Sequence, residues 1–286
     1  MNDARFNTDN MPMSSISTSD DLQRITSCLH SVADYIRQSD RRALSVSYSR
    51  GGDPCTSLDR EISRLLREKL PRAGEGWLSE EDKDDLRRLK ASRVWIVDPI
   101  DGTREFVEGC PEWCVSIGLV EGNEAVAGGV LNPSTGEMFW GSRETGLQTS
   151  GHSNPARPNG HDPERTAVSR LLVSRREYSE GKWKSFHRPD IAVVPVGSIA
   201  YRLARVAAGH ADATCTFETR HEWDVAGGVA LLIAAGGRVE GRDGAAVRFN
   251  QESPKLQSLF AYSGNCSSLL PTLCELHKDK SPRPAI

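Results

Sequence analysis

Residues 93–97, RVWIV, form a short and continuous apolar run. A strand that is apolar at successive positions is buried on both faces, so its sheet is covered on each side. Segments with helix and strand patterns alternate before and after this run. The expected fold class is therefore α/β, of a layered α+β kind.

Hydrophobic spacing predicts the individual elements, because a helix repeats every 3.6 residues and a strand every two. The predicted helices cover residues 19–38, a segment after Asp53-Pro54, and residues 83–90, 199–209 and 223–236. The predicted strands cover residues 93–97, 113–120, 124–131, 137–141, 171–174, 191–196 and 211–217.

The chain of 286 residues is long enough for one large α/β domain or for two intimately packed halves. Residues 150–166 are rich in Pro, Gly and Asn and are expected to form a loop or junction. This division predicts a disordered leader over residues 1–18, an N-terminal half over residues 19–150 and a C-terminal half over residues 167–280.

Composition argues against several kinds of partner. The formal net charge is −3, so no basic field directs the chain to nucleic acid polymers or anionic membranes. No apolar run reaches membrane-spanning length, and the first residues lack the order of a signal peptide. The seven cysteines include no C-x-x-C pair, and Cys110 and Cys114 have no matching pair for a zinc site. Reduced thiols in a cytoplasmic protein are expected.

Directly after the apolar run, residues 98–103 read DPIDGT. The proline holds Asp98 extended at the end of the strand, and the following turn brings Asp101 to the same side. Two adjacent carboxylates repel each other without a cation, and oxygen-only ligands suit magnesium. Gly102 and Thr103 would open a short helix whose N–H groups bind an anion. These features indicate a metal-bound phosphate; an Asx-turn with a helix cap is the alternative.

Three other acidic residues have candidate structural roles as well. Glu80 lies in the stretch SEED, whose first and last residues have capping-box spacing, although a box leaves Glu80 itself unexplained. Asp59 follows Thr56 by three residues, which is again capping-box spacing. Asp224 begins a long apolar helix, where a carboxylate complements the helix dipole. From spacing alone, a capping box remains an alternative for Asp59, and a carboxylate that complements the helix dipole remains one for Asp224.

Three stretches in this order resemble a known family: LSEED at residues 78–82, WIVDPIDGT at residues 95–103 and EWDVAGGVA at residues 222–230. The chain resembles the inositol monophosphatase superfamily, whose members are lithium-sensitive, magnesium-dependent phosphatases, over about residues 20–275. The sequence Arg104-Glu105-Phe106 is similar to the 3′(2′),5′-bisphosphate nucleotidase (CysQ-like) branch. Inositol monophosphatases usually carry Asn in place of Glu105.

The resemblance implies an αβαβα sandwich of the inositol monophosphatase and fructose-1,6-bisphosphatase type. It implies a first magnesium ion on Glu80, Asp98 and the carbonyl group of Ile100. A second ion would bind Asp98, Asp101 and Asp224, and a third, weaker ion would bind near Glu80. Inhibition by lithium and assembly into a homodimer are further expectations from the family.

The resemblance also implies the roles of residues that bind no metal. Asp59 and Thr103 are expected to orient and deprotonate the attacking water, and the amides of Gly102 and Thr103 to hold the phosphate oxygens. No covalent phospho-enzyme is needed. His221, next to the Trp-Asp motif, stays open between this site and a core or rim position.

The C-terminal half is expected to contact the organic part of the substrate. Gly197 and Ser198 resemble the family's G-S element, and Arg202 is a candidate contact for a second phosphate or, equally, a solvated charge. The branch implies a small phosphorylated substrate, adenosine 3′,5′-bisphosphate. The alternatives are an inositol or sugar phosphatase of the same superfamily, a catalytically silent binding homologue, and another magnesium-phosphate enzyme. A kinase or nucleotidyltransferase is disfavoured because no Walker loop is present.

Overall fold

The computed structural model of the protein describes residues 18–40, 44–48, 52–151, 168–184, 186, 188–241 and 244–264. Three segments to which the sequence assigned a role lie outside the described residues. They are residues 1–17 of the predicted leader, residues 152–166 of the predicted junction and residues 265–280 of the predicted C-terminal half.

The described chain contains strands and helices in a mixed order. The strands are β1 (Val46–Tyr48), β2 (Pro54–Thr56), β3 (Gly76–Ser79), β4 (Arg93–Asp101), β5 (Cys114–Glu121), β6 (Glu124–Asn132), β7 (Glu137–Ser142), β8 (Gly146–Ser150), β9 (Ser169–Ser174), β10 (Ile191–Val196), β11 (Ala213–Thr216), β12 (Arg220–His221), β13 (Arg238–Gly241), β14 (Lys255–Leu256) and β15 (Leu259–Tyr262). The α-helices are α1 (Thr18–Gln38), α2 (Ser57–Lys69), α3 (Thr103–Val107), α4 (Arg175–Ser179), α5 (Ile199–Ala207) and α6 (Glu222–Ala234). Residues Arg87–Lys90 form a 3₁₀ helix.

The larger sheet contains β3 to β8 in chain order, with β3 parallel to β4 and the other neighbours antiparallel. Alternate side chains of β4 pack on opposite faces of this sheet. Trp95 and Val97 join the core beneath α1 and α2, whereas Val94 and Ile96 join the core beneath α5 and α6. The prediction that this strand is buried on both faces is confirmed.

Helix α6 lies very close to the larger sheet because both surfaces carry small residues. A Cβ atom at Gly128 of β6 would lie 2.5 Å from the carbonyl oxygen of Gly227. A Cβ atom at Gly118 of β5 would lie 2.7 Å from the Cβ of Ala226. Only glycine permits this approach, which sets the position of the first turn of α6 and of Asp224 within it.

The smaller sheet has the strand order β10-β9-β11-β15-β13, in which β9, β10 and β11 are parallel. Leu172 faces α5 and α6, whereas Leu171 and Val173 pack on the outer face with Trp183 and Phe186. The carboxyl ends of the three parallel strands therefore meet at one edge of the sheet, where α/β proteins commonly bind ligands.

The described layers are thus α1 with α2, the larger sheet, α5 with α6, and the smaller sheet. This arrangement confirms the layered α/β fold class. None of the described helices combines the length and the apolar character needed to cross a bilayer.

The prediction of a charged helix over residues 83–90 is wrong. Only Arg87–Lys90 turn, as a 3₁₀ helix, and Leu86 before them has a left-handed backbone with φ 62°. The side chains of Asp84 and Asp85 accept the N–H groups of Leu86 and Arg87 at 2.9 Å and 3.0 Å. Such local bonds compete with the helical ladder, which explains why the helix is cut short.

Candidate active site

Two carboxylates lie where β4 ends and the chain turns into α3. Asp98 is 2% exposed and Asp101 is 9% exposed. The Oδ1 atom of Asp98 accepts the backbone N–H of Ile100 at 2.9 Å, and the Ile100 carbonyl accepts the hydroxyl of Thr103 at 2.8 Å. The ladder with β5 shifts register between the two aspartates. The turn therefore holds both carboxylates at the end of one strand.

Asp101 also connects the two sheets. Its Oδ2 atom accepts the hydroxyl of Ser198 at 2.5 Å and the N–H of Ala200 at 2.6 Å. Ser198 is the N-cap of α5, and its oxygen accepts the N–H of Tyr201 at 3.0 Å. A carboxylate is favourable at this helix N-terminus because of the exposed N–H groups. Both of these bonds are made by Oδ2 of Asp101.

Asp59 lies on α2 and uses its two oxygens differently. Oδ2 accepts the backbone N–H of Thr56 at 2.8 Å and its hydroxyl at 2.5 Å, which completes a capping box. Oδ1 lies 3.2 Å from the hydroxyl of Thr103, whose single proton can go either to this oxygen or to the carbonyl of Ile100 at 2.8 Å. The structure therefore brings Asp59 and Thr103 together, and the predicted helix cap coexists with that contact.

Glu80 directly follows β3 and keeps an exposed surface. The loop that carries it is fixed by Asp82, whose Oδ2 accepts the indole N–H of Trp77 at 2.7 Å and the hydroxyl of Ser63 at 3.2 Å. Oδ1 of Asp82 pairs with Arg67 at 3.1 Å. The expectation of a capping box in SEED is thereby corrected, because Asp82 bonds to side chains of β3 and α2.

Asp224 is the third residue of α6, and its Oδ2 accepts the N–H of His221 at 2.9 Å. His221 is the N-cap residue, and its ring stacks on Trp223 with the ring centres 4.5 Å apart. Burial lowers the pKa of His221, so the neutral ring is favoured. The capping geometry expected for Asp224 is present, and it turns the carboxylate toward the start of the helix.

Burial raises the pKa of each of the five carboxylates at this site. For Asp98 the charge of Glu80 adds to burial, and the pKa lies well above its usual range. Part of Glu80 is exposed, but desolvation of its carboxyl group by the surrounding protein and the charge of Asp224 raise its pKa to about 8. Burial and the charge of Asp101 raise the pKa of Asp224 to about 7. The pKa values of Asp101 and Asp59 are raised chiefly by burial.

The donor set fits a hard divalent cation. In the described part of the chain, no three His, Cys, Asp or Glu side chains converge into a complete metal-binding set. Magnesium does not need one, because it binds one or two carboxylates and takes its other oxygens from water and substrate phosphate. Asp98 feels the charges of Glu80, Asp101 and Asp224. A cation among these carboxylates would remove their mutual repulsion.

Gly102 and Thr103 begin the short helix α3. Gly102 is its N-cap residue and has φ 92°, a left-handed conformation that glycine adopts without steric cost. A Cβ atom there would lie 3.3 Å from the carbonyl oxygen of Glu112. The predicted helix start after the aspartates is confirmed, and glycine is required at the turn.

Gly197 and Arg202, both expected as substrate contacts, also form bonds within the protein. The N–H of Gly197 donates to Oε2 of Glu112 at 2.8 Å. Arg202 is 1% exposed, and its guanidinium donates to the carbonyl of Cys215 at 3.0 Å and the hydroxyl of Thr214 at 3.1 Å. Arg202 is therefore neither a solvated charge nor exposed to a substrate, and both expectations for it are wrong. The helix α5 turns its side chain into the protein, which its helical spacing alone did not reveal.

A cation that the sequence interpretation missed is Arg220, on β12. Its charge lowers the pKa of Asp101 and of Asp224, although burial raises both more strongly. The side chain is 23% exposed. The sequence feature that could have identified Arg220 is its position four residues before Asp224, beside the Trp-Asp stretch.

Comparison with known proteins adds a family to this geometry. The sequence model of the inositol monophosphatase family matches residues 21–275. The chain belongs to this family. It is a phosphomonoesterase by family, and the fold and family implied by the sequence resemblance are confirmed.

Two relatives with different printed activities have nearly the same sequence identity to this chain. The 3′-phosphoadenosine 5′-phosphate phosphatase of Mycobacterium tuberculosis (strain CDC 1551 / Oshkosh) is 32% identical over 220 residues, which cover 74% of this chain and 78% of the relative. The inositol-1-monophosphatase of Caulobacter vibrioides is 30% identical over 203 residues, which cover 68% of this chain and 78% of the relative.

A solved structure shares the fold at lower identity. It is an IMPase/NADP phosphatase complexed with Mg²⁺ and phosphate, with a TM-score of 0.69 and 17% identity. The match covers 89% of this chain and 95% of that chain. At this identity the likeness shows the fold alone.

Proposed function

We propose that this family member hydrolyses adenosine 3′,5′-bisphosphate to AMP and phosphate in a magnesium-dependent reaction. The observation that carries the proposal is the Asp59–Thr103 contact beside carboxylates whose pKa values are all raised. A side-chain hydroxyl on a buried carboxylate is suited to taking a proton from water. Neighbouring acidic groups are suited to a cation and a phosphate.

The metal would be held by oxygen atoms from three elements or their ends. The proposed ligands of two ions are Glu80, Asp98, the Ile100 carbonyl, Asp101 and Asp224, with a third, weaker ion near Glu80. When bound, magnesium would lower the pKa of water and balance charge on the phosphate and leaving oxygen. Its presence in the related IMPase/NADP phosphatase structure supports the choice of metal.

Asp59 and Thr103 would act as the base that prepares the water. The hydroxyl of Thr103 accepts a proton from water while it passes its own proton to Oδ1 of Asp59. Burial raises the pKa of Asp59 and so makes its carboxylate a better proton acceptor near neutral pH. The bonds from Thr56 to Oδ2 keep this carboxylate from rotating away.

The phosphate would bind at the start of α3. The left-handed conformation of Gly102 directs the chain so that the amides of Gly102 and Thr103 stand at the helix N-terminus. Backbone N–H groups in this position carry partial positive charge and have no partner within the helix. They would hold the oxygens of the phosphate that is hydrolysed.

The choice of substrate rests on Glu105 and on the curated relatives. Glu105 stands where inositol monophosphatases usually carry Asn, and a 3′-phosphoadenosine 5′-phosphate phosphatase is 32% identical. The inositol-1-monophosphatase at 30% identity favours a second candidate, hydrolysis of an inositol or sugar phosphate. A direct test compares kcat/KM for adenosine 3′,5′-bisphosphate, inositol 1-phosphate and fructose 1,6-bisphosphate with magnesium present. Preference for adenosine 3′,5′-bisphosphate supports the proposal, and preference for either other ester establishes the second candidate.

Metal dependence has its own experiment. Protein stripped with a chelator should lose phosphatase activity and regain it on addition of magnesium, whereas calcium should restore little because its coordination is looser. Lithium is expected to inhibit the restored enzyme. Full activity in excess chelator would contradict the metal assignment.

A further inference from the structure

One basic residue, Arg220, lies close in the chain to the edge of the smaller sheet that is joined to the carboxylate site. The parallel strands β9, β10 and β11 end there, and the Ser198–Asp101 bond joins this edge to the end of β4. Arg220 follows β11 after a short turn and precedes α6. It therefore lies between the sheet edge and Asp224.

Arg220 is held only weakly. Its Nε atom donates to the hydroxyl of Thr216 at 3.3 Å, and its Nη2 atom lies 3.5 Å from Oε2 of Glu218. Hydrogen bonds between charged groups are usually about 2.7–2.9 Å long. With 23% of its side chain exposed, this guanidinium can change partner without unfolding the edge.

Glu218 is bound much more tightly by another cation. Its Oε1 atom accepts Nζ of Lys182 at 2.6 Å, and Lys182 also lies 2.9 Å from Glu180. The pKa of Glu218 is lowered by Lys182 and by Arg220, against the opposing effect of burial. Lys182 thus binds one oxygen of Glu218 tightly, while the other oxygen keeps only a long contact of 3.5 Å with Arg220.

Cations and carboxylates both lie around Arg220. The guanidinium of Arg202 donates to the hydroxyl of Thr214 at 3.1 Å, and that of Arg220 donates to the hydroxyl of Thr216 at 3.3 Å, so both contact β11. The carboxylate of Glu177 accepts the hydroxyl of Thr216 at 3.0 Å through Oε1, and its buried Oε2 has no hydrogen-bond partner among the described residues. The charge of Arg220 also lowers the pKa values of Asp101 and Asp224, against the stronger effect of burial. Of the two guanidinium groups, that of Arg220 is the one an incoming phosphate can reach, since Arg202 is 1% exposed.

We propose that Arg220 binds the second phosphate of a bisphosphorylated substrate, and that Lys182 keeps Arg220 available by binding Glu218. This inference rests on the proposed function and adds the residue that selects two phosphates over one. The hydrolysed phosphate lies at the end of β4, and the second phosphate takes a bidentate contact from the guanidinium in place of Glu218. Only binding changes, and no bond is made or broken at this second position.

The test measures kcat/KM for adenosine 3′,5′-bisphosphate and for inositol 1-phosphate in wild type and variants. Arg220→Ala should lower the ratio of the two values by about tenfold or more, the scale of a charged hydrogen bond. Arg220→Lys should restore part of the ratio. Arg188→Ala is the matched control, since Arg188 pairs with Asp190 at the opposite end of β10. An unchanged ratio in Arg220→Ala overturns the inference.

A second set of variants tests the role of Lys182. Lys182→Ala should release Glu218 to Arg220 and lower the same ratio, whereas Glu218→Gln should raise it. The double variant Lys182→Ala/Glu218→Gln should regain the wild-type ratio or exceed it, because no carboxylate then competes with the phosphate. A double variant as poor as Lys182→Ala alone would contradict the competition between Glu218 and the substrate.

These outcomes separate the inference from the proposed function. A wild-type enzyme that prefers inositol 1-phosphate overturns the nucleotidase proposal itself. A wild-type enzyme that prefers the bisphosphate, with no change in the ratio for Arg220→Ala, leaves that proposal standing and removes Arg220 from it. Magnesium activation curves of each variant show whether a loss arises from the metal site, in which case both substrates lose equally and the inference fails.

Discussion

The hydroxyl of Thr103 lies within hydrogen-bond distance, 3.2 Å, of Oδ1 of Asp59, a residue 44 positions earlier in the chain. The other oxygen of the same carboxylate caps α2 through Thr56. Capping and catalysis are therefore compatible roles for Asp59, since each uses a different oxygen. The cap orients the carboxylate, and the orientation places Oδ1 against the hydroxyl.

Asp59→Asn should separate the two roles. The amide oxygen of asparagine can still accept the N–H of Thr56 in the capping box, so the free energy of unfolding should fall by less than about 1 kcal/mol. Because the amide cannot accept a proton, kcat should fall by roughly a hundredfold or more. Steady-state kinetics and thermal unfolding of the purified variant measure both quantities.

The control for this variant is Thr56→Ala. It removes the hydroxyl that touches Oδ2 and should destabilise the protein by about 1 kcal/mol, while Oδ1 stays on Thr103 and kcat falls much less. Near-normal turnover in Asp59→Asn would leave Asp59 with the cap as its sole role.

Asp98→Asn should abolish turnover and at the same time stabilise the metal-free protein. The neutral amide still accepts the N–H of Ile100, but it no longer repels Glu80 and Asp101. In chelator at pH 8 the variant should gain about 1 kcal/mol or more over wild type. The gain should disappear in saturating magnesium, which stabilises only a protein that binds it. A variant that is less stable in chelator and still binds magnesium by calorimetry would contradict the repulsion argument.

Much of the larger sheet could be predicted from periodicity, because β4, β5, β6 and β7 bury side chains in regular patterns. The helix over residues 83–90 could not, since side-chain bonds of Asp84 and Asp85 to the backbone override its helical composition. The short ladders β1–β2 and β12–β14 carry too few residues for a periodic signal.

The metal-free protein should become less stable as pH rises from about 4.5 to about 8. Glu80 and Asp224 have folded-state pKa values of about 8 and about 7, above their unfolded values. The folded state then holds more protons than the unfolded state within that window, so the free energy of unfolding falls with increasing pH. Thermal unfolding in chelator at pH 5.5 and pH 8 measures this slope.

Magnesium should reverse the trend, because ionised carboxylates bind it better. The rise in Tm on adding magnesium is therefore expected to be larger at pH 8 than at pH 5.5. For the same reason, more magnesium should be needed for half-maximal activity at the lower pH. A Tm in chelator that increases steadily between these pH values would show that the carboxylates do not share one site.

Ser198→Ala should weaken the metal site without removing a ligand. It deletes the 2.5 Å bond to Asp101 and the N-cap of α5, which together should cost about 2 kcal/mol of stability. Because Oδ2 of Asp101 then keeps only the N–H of Ala200, the magnesium concentration for half-maximal activity should rise. Ser174→Ala is the matched control, since Ser174 caps α4 through the N–H of Glu177 and does not contact Asp101. If both variants needed the same magnesium concentration, Ser198 would cap α5 and would not position Asp101 for the metal.

The DPIDGT turn of the site was readable from local sequence, because proline and glycine restrict the backbone at fixed positions. The environment of Arg202 was not, since it depends on Thr214 and Cys215 of a strand that follows later in the chain. Helical spacing places Arg202 on α5 but does not say which layer its side chain enters.

Arg202 and Arg220 should respond to the same substitution in opposite ways. Arg202→Leu removes a buried guanidinium and leaves the carbonyl of Cys215 without its donor, so the protein should lose about 3 kcal/mol of stability. Its preference between adenosine 3′,5′-bisphosphate and inositol 1-phosphate should stay near the wild-type value, because the side chain does not reach solvent. Arg220→Leu should cost less than about 1 kcal/mol, since its bonds are long, and should shift the preference. Unfolding curves and the two kcat/KM values check both variants. If Arg202→Leu changed the preference between the two substrates at temperatures where the variant is fully folded, Arg202 would be a substrate contact after all.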